Sequence, residues 1–293
     1  MNKHPLAEVF GFPISNTSES AQRYRNLKLC PFNNKVPSCT KDKAQNPLGV
    51  CTIFNGKELA ITCPVRFRED WLIAEDAASF FFKKNATWTS LTEIRLNDKN
   101  GESAGNIDLV LVSYNSAGKI TDFGALEIQG VYISGNIRRP FEKYIENPKK
   151  YPKFDWSNES NYPRADYLSS SRKRLVPQLI YKGNILRAWN KKIAVAIHEG
   201  FFDTLPDLPV VPKSKADVAW FIYSLKHDSK NDRYNLVNKK TVYTKFHEAL
   251  NKIIIAEPGD ISKFIDILQS KLDEKLENQN PPDAPTLNDI FIK

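Results

Sequence analysis

No stretch of this 293-residue chain approaches the ~20 consecutive apolar residues that a membrane-spanning helix needs, so no bilayer span is expected. The opening Met1-Asn2-Lys3-His4-Pro5 lacks the apolar core of a secretory signal, and the expected location is the cytoplasm. There is no glycine-rich phosphate loop, which argues against a nucleotide cofactor and ATP dependence. The four histidines, His4, His198, His227 and His247, show neither HxH nor HExxH spacing, so structural or surface roles are expected for them. Internal repeats and low-complexity segments are also missing. Cysteine is absent from residues 64 to 293.

What is present is ordinary in bulk and uneven in detail. Hydrophobic residues make up 41% and charged residues 26%, enough for a true core in one large domain or a domain plus a small module. Net charge is +8 and the pI is about 9.1, a balance that favours an anionic partner, nucleic acid being the commonest. All four cysteines, Cys30, Cys39, Cys51 and Cys63, lie in the first quarter at spacings C-x8-C-x11-C-x11-C. Reducing conditions in the cytosol argue against two disulfides there. Four thiols in one short segment argue for a tetrahedral metal site, although the tight C-x2-C knuckle is missing and buried free thiols are the alternative. Residues 1–67 otherwise read as loop-rich, so a bound metal would serve as the core of an N-terminal module.

Beyond that segment, apolar spacing predicts a helix over 68–84 and strands over 88–96, 106–114 and 119–133, with turns at Asn97–Gly101 and Asn115–Gly118. Helices are predicted over 137–146, 174–189, 244–256 and 260–277, the last capped by Asp260. Strands are predicted over 192–197, 217–224 and 235–243. The order suits an α/β architecture, a mixed sheet flanked by helices, over 68–278, with 279–293 as a loose tail.

One strand carries a chemical anomaly. Asp108 interrupts the apolar run Ile107 to Val112, and a carboxylate there is costly to bury without a partner or a cation. Glu127 and Gln129 stand two apart on the next strand and share a face, while Leu126 and Ile128 point the other way. A hairpin would bring the three polar groups together. Two carboxylates suit a hard divalent cation such as Mg2+, which can polarise a phosphodiester. Glu69, Asp70, Glu75, Asp76 and Glu93 lie upstream; most of them read as ordinary solvated charge, and one upstream carboxylate completing the site is the alternative.

This arrangement resembles the catalytic core of the PD-(D/E)XK nucleases, a helix and a β-meander with Asp on the second strand and Glu-x-Lys on the third. Here the last slot reads Glu127-Ile128-Gln129, and Ile107 stands where the family name has proline. Lysine can stabilise charge on a phosphate, whereas glutamine can only hydrogen-bond. The phrasing around the cysteines is more specific: His4-Pro5-Leu6-Ala7-Glu8-Val9-Phe10-Gly11, Leu29-Cys30-Pro31-Phe32, Cys39-Thr40-Lys41, Pro47-Leu48-Gly49-Val50-Cys51 and Cys63-Pro64-Val65-Arg66-Phe67. Together with the D…ExQ pattern it is similar to the NotI family of type II restriction endonucleases, over roughly the first half of the chain.

That resemblance implies a bacterial, Mg2+-dependent endonuclease acting on double-stranded DNA at a palindromic, G·C-rich site. It makes Cys30, Cys39, Cys51 and Cys63 ligands of a structural iron or zinc, and Asp108, Glu127 and Gln129 the active site. A palindromic target implies a homodimer. Arg138, Arg139 and the run Arg172-Lys173-Arg174 are the expected DNA contacts. Lys191-Lys192 and Lys239-Lys240 read as solvated surface. Two other functions fit the residues less well: a repair or structure-specific nuclease, and a non-catalytic four-cysteine DNA-binding protein.

Overall fold

The computed structural model describes residues 3–33, 36–43, 45–255 and 258–277. The chain divides after Ile254 into two compact units. In the second, the described structure is a helix, Ile261–Glu277, whose Asp260 accepts the Ser262 N–H as expected of its cap. The tail 279–293 lies outside the described residues. Among the described residues no helix is long and apolar enough to cross a membrane.

The first unit opens with more regular structure than its composition suggested. Strands β1 (Leu6–Val9) and β2 (Phe12–Pro13) precede helix α1 (Glu19–Asn26), and a two-residue hairpin, β3 (Asp42–Lys43) with β4 (Asn46–Pro47), follows. Strands β5 (Val50–Asn55) and β6 (Glu58–Ile61) complete a four-stranded sheet in the order β2-β1-β5-β6. These strands have two to six residues, too short for an alternating pattern to reveal them. They are held by burial nonetheless: Leu6, Val9, Val50, Ile53 and Ala60 are fully enclosed and share one hydrophobic cluster with the main sheet.

A 3-10 segment, Pro64–Trp71, leads into helix α2 (Leu72–Phe81). The predicted helix over 68–84 therefore starts late, because Asp70 and Trp71 adopt left-handed backbone angles that break it. Next come β7 (Trp88–Asn97), β8 (Ser103–Tyr114) and β9 (Ile120–Gln129), an antiparallel meander as expected. β9 ends ten residues into the predicted strand. After Gly130 and Val131 the chain leaves it, and β10 (Tyr132–Ser134) pairs instead with β11 (Arg164–Asp166), across helix α3 (Arg138–Glu146).

Helix α4 spans 167–188, seven residues longer at its start than the spacing indicated. It contains two π turns, Ser171–Leu175 and Leu179–Gly183. It returns the chain to β12 (Ile193–His198), parallel to β9, and a second crossover leads to β13 (Val218–Asp228), parallel to β12. β14 (Arg233–Thr244) closes the edge antiparallel, followed by helix α5 (Phe246–Ile254). The result is a six-stranded mixed sheet in the order β14-β13-β12-β9-β8-β7. Helix α2 packs Ile73, Ala77 and Phe80 on one face, against Leu109, Leu126 and Ala196. On the other face, Leu175 and Leu179 of α4 and Phe246 of α5 cover Val110, Ala125 and Val195. The expected α/β class, a mixed sheet with helices on both faces, is what forms.

Candidate active site

The ladder between β8 and β9 opens at one point. Its pairing runs from Tyr114↔Ile120 to Leu109↔Leu126 and stops there, while β9 stays parallel to β12 from Ala125 to Gln129. Asp108 is the first residue past the split. Its Oδ2 accepts the backbone N–H of Ile128 at 2.8 Å, replacing the missing strand partner. Glu127 alternates with Leu126 and Ile128, so its side chain enters the α4 face of the sheet, where it is 2% exposed. The two carboxyls lie within hydrogen-bonding reach of each other.

This proximity strains the charge balance. Burial, and next the Asp108 carboxylate, push Glu127 up to about 7, with Lys182 partly offsetting them. Burial also raises Asp108, against the Ile128 N–H and the positive charges of Lys182 and Arg68. Glu127 Oε1 is buried and has no hydrogen-bond partner among the described residues. An orphaned carboxylate oxygen beside a second carboxylate is the donor chemistry a hard divalent cation requires, so the pair fits Mg2+. Among the described residues, no set of three or more His, Cys, Asp or Glu side chains is gathered tightly enough to hold a metal ion by itself. Two of the upstream carboxylates serve elsewhere. Glu69 bonds Arg66, and Asp76 accepts from Tyr223 and Asn238.

Gln129, the third expected member, is buried on the same face, but its amide nitrogen donates to the carbonyl of Gly130 at 2.6 Å. The basic group that reaches the carboxylates comes from another element and was not singled out in the sequence. Lys182, in the second π turn of α4, donates to Glu127 Oε2 at 2.6 Å and to the carbonyl of Asn106 at 2.8 Å. Arg68, on the 3-10 segment, is the other nearby cation. It makes no ion pair among the described residues, and its Nε is buried without a partner. A lysine or arginine on an amphipathic element gives no sequence signal that separates it from solvated charge.

The remaining expected basic contacts fall in two groups. Arg138 pairs with Asp42 and Glu142, while Arg139 pairs with Glu159 at 2.8 Å and lies over the Trp156 ring. Arg172, Lys173 and Arg174 are exposed along α4, and Arg174 covers the ring of Tyr132.

The four cysteines are free thiols. Backbone pairing joins them two by two: Cys30 N–H donates to Pro37 and Cys39 N–H to Lys28, while Cys63 N–H donates to the carbonyl of Cys51. Burial pushes the Cys30 thiol up to about 11 against the N–H of Phe32, and Cys63 and Cys39 raise it further. Burial also raises Cys39 and Cys51, and both feel Cys63. Cys63 thus acts on each of the other three thiols, while among the described residues the four are not gathered tightly enough to hold a metal ion by themselves. Nearby, the fully buried Arg66 ties β1 to β14: it donates to Glu8 Oε2 at 2.9 Å and to the carbonyl of Tyr234 at 2.6 Å, and stacks on Phe32.

No curated protein matches the chain. The family model described as restriction endonuclease NotI matches residues 8–236, a span that runs from β1 through the meander, the split ladder and Lys182 into β14. The chain belongs to the NotI family of restriction endonucleases, site-specific type II enzymes that act on double-stranded DNA.

Proposed function

We propose that this protein is a Mg2+-dependent type II restriction endonuclease of the PD-(D/E)XK kind, with Asp108 and Glu127 as its metal-holding pair. The observation that carries the reading is the buried, unpartnered Glu127 Oε1 beside Asp108 at the mouth of a split ladder. When bound, Mg2+ supplies Lewis-acid polarisation of the scissile phosphodiester. The protein's own groups do the rest. Asp108 is fixed by the Ile128 N–H and Glu127 by Lys182, which leaves Glu127 Oε1 without a partner among the described residues. The amide of Gln129 braces the turn after β9. Arg68, which makes no ion pair among the described residues, is available to a DNA phosphate.

Arg172, Lys173 and Arg174 extend a basic stripe from the same helix that supplies Lys182, and serve as backbone contacts. Arg138 and Arg139 each hold a carboxylate already, so a phosphate there has to displace one. Cutting both strands of a palindromic, G·C-rich target calls for two copies of the site, hence a homodimer. Cys30, Cys39, Cys51 and Cys63 are assigned to a structural iron or zinc, a reading supported by four free thiols in one short segment, with Cys63 acting on the other three.

The test is digestion of bacteriophage genomic DNA by the purified protein with Mg2+, with the ends mapped by sequencing. Discrete fragments sharing one symmetric sequence at their ends are expected. Ragged or structure-dependent ends would favour a repair nuclease. Binding without any cleavage would leave only a DNA-binding protein.

A further inference from the structure

We propose that Lys182 is a catalytic residue of this site, donating to a non-bridging oxygen of the scissile phosphate as negative charge develops there. The inference rests on the nuclease reading above and extends it to a residue on a different element from the carboxylates.

An ammonium group has three N–H donors. Lys182 uses one on Glu127 Oε2 and one on the Asn106 carbonyl, and the third has no acceptor among the described residues. The two bonds fix the group beside the carboxylate pair with its side chain only 5% exposed. A donor fixed in that way does not have to reorganise when the phosphate gains charge, and is worth far more there than in water.

The helix is shaped to deliver this side chain. Lys182 sits in the π turn Leu179–Gly183, where the wider turn changes the direction of the side chains that follow. Gly183, next in sequence, lets α4 approach α5: a Cβ at that position would lie 2.3 Å from the ring of Phe246. A buried ion pair is a weak source of stability, because desolving both charges offsets much of their attraction. Stability alone therefore gives little reason to bring a lysine 55 residues along the chain onto Glu127.

Gln129 and the other basic residues expected from the sequence are less suited to the role. The Gln129 amide is committed to Gly130, and Arg138 and Arg139 are held by carboxylates. Arg172 to Arg174 precede Lys182 on the helix by at least eight residues, roughly 12 Å of helix axis.

The experiment uses the full chain and a duplex containing the mapped target. Three proteins are compared: wild type, Lys182→Gln and Lys182→Met. Glutamine is one bond shorter but keeps two N–H donors for Asn106 and Glu127, so Lys182→Gln removes the charge while retaining hydrogen-bonding capacity at the helix contact. Cleavage is followed in single turnover at saturating enzyme with Mg2+, duplex affinity in Ca2+, and folding by thermal melting. Loss of about 10^2-fold or more in the cleavage rate of Lys182→Gln is expected, with affinity and melting close to wild type. Lys182→Met should lose at least as much rate. Wild-type cleavage by Lys182→Gln would overturn the proposal, and so would loss of folding in both variants, which would make the lysine structural. A wild-type protein that cuts no duplex would remove the nuclease reading itself, whereas an active wild type matched by Lys182→Gln removes only this inference.

Discussion

At the scale of single residues, the account turns on one carboxyl group. Burial holds Glu127 up at about 7 in the folded chain, against its ordinary 4.5. Between those values the folded state keeps a proton that the unfolded state has lost. The group's contribution to stability therefore falls as pH rises from about 4.5 to about 7, and changes no further above that. In EDTA, the melting temperature of wild type should drop relative to Glu127→Gln as the pH is raised from 5 to 8, most of the change coming before pH 7. Parallel melting curves across that range would contradict the burial of an ionisable pair. Asp108 and Glu127 were legible in the sequence because a charge inside an apolar strand breaks a two-residue period, and the period itself says which residues share a face. Lys182 was not legible, since its placement depends on a π turn and on the close packing of Gly183, neither of which leaves a trace in hydrophobic spacing.

At the scale of elements, helix α4 and the cysteine segment make separate demands. Gly183→Ala ought to gain about 1 kcal/mol from helix propensity, but the new methyl would meet the buried Phe246 ring. Overpacking of that kind costs about 1–3 kcal/mol, so net destabilisation is expected, with cleavage falling further than stability as Lys182 shifts off Glu127. Restoring space with Phe246→Leu in the same chain should recover part of both losses; unchanged cleavage in Gly183→Ala would show that the approach of α4 is immaterial. For the cysteines, Cys51→Ser should lower the transition metal co-purifying with the protein and reduce melting temperature. Elemental analysis of wild type showing no tightly held iron or zinc would defeat that assignment. The meander β7 to β9 was readable because its strands run to ten or twelve residues between turn signals, and β12 and β13 because each carries an unbroken apolar run. The strands β1 to β6 were hidden by their brevity, and the composition of residues 1–67 suggested less burial than tertiary packing achieves there.

At the scale of the whole molecule, the +8 charge favours a polyanionic partner, and the exposed Arg172, Lys173 and Arg174 are the proposed contacts. DNA affinity should fall steeply with salt as counterions are released, and reversing the charges of Arg172, Lys173 and Arg174 should weaken binding and flatten that dependence. An unaltered salt slope would assign those three residues to solvated surface. The central claim is that Asp108 and Glu127 jointly hold the metal that makes cleavage possible. It is tested most directly by comparing wild type, Asp108→Ala and Glu127→Ala on one target-bearing duplex, with cleavage and binding measured across a Mg2+ titration. The account predicts that each variant shifts the duplex like wild type yet loses several orders of magnitude in cleavage, unrecovered at high Mg2+; wild-type cleavage by either one would contradict it.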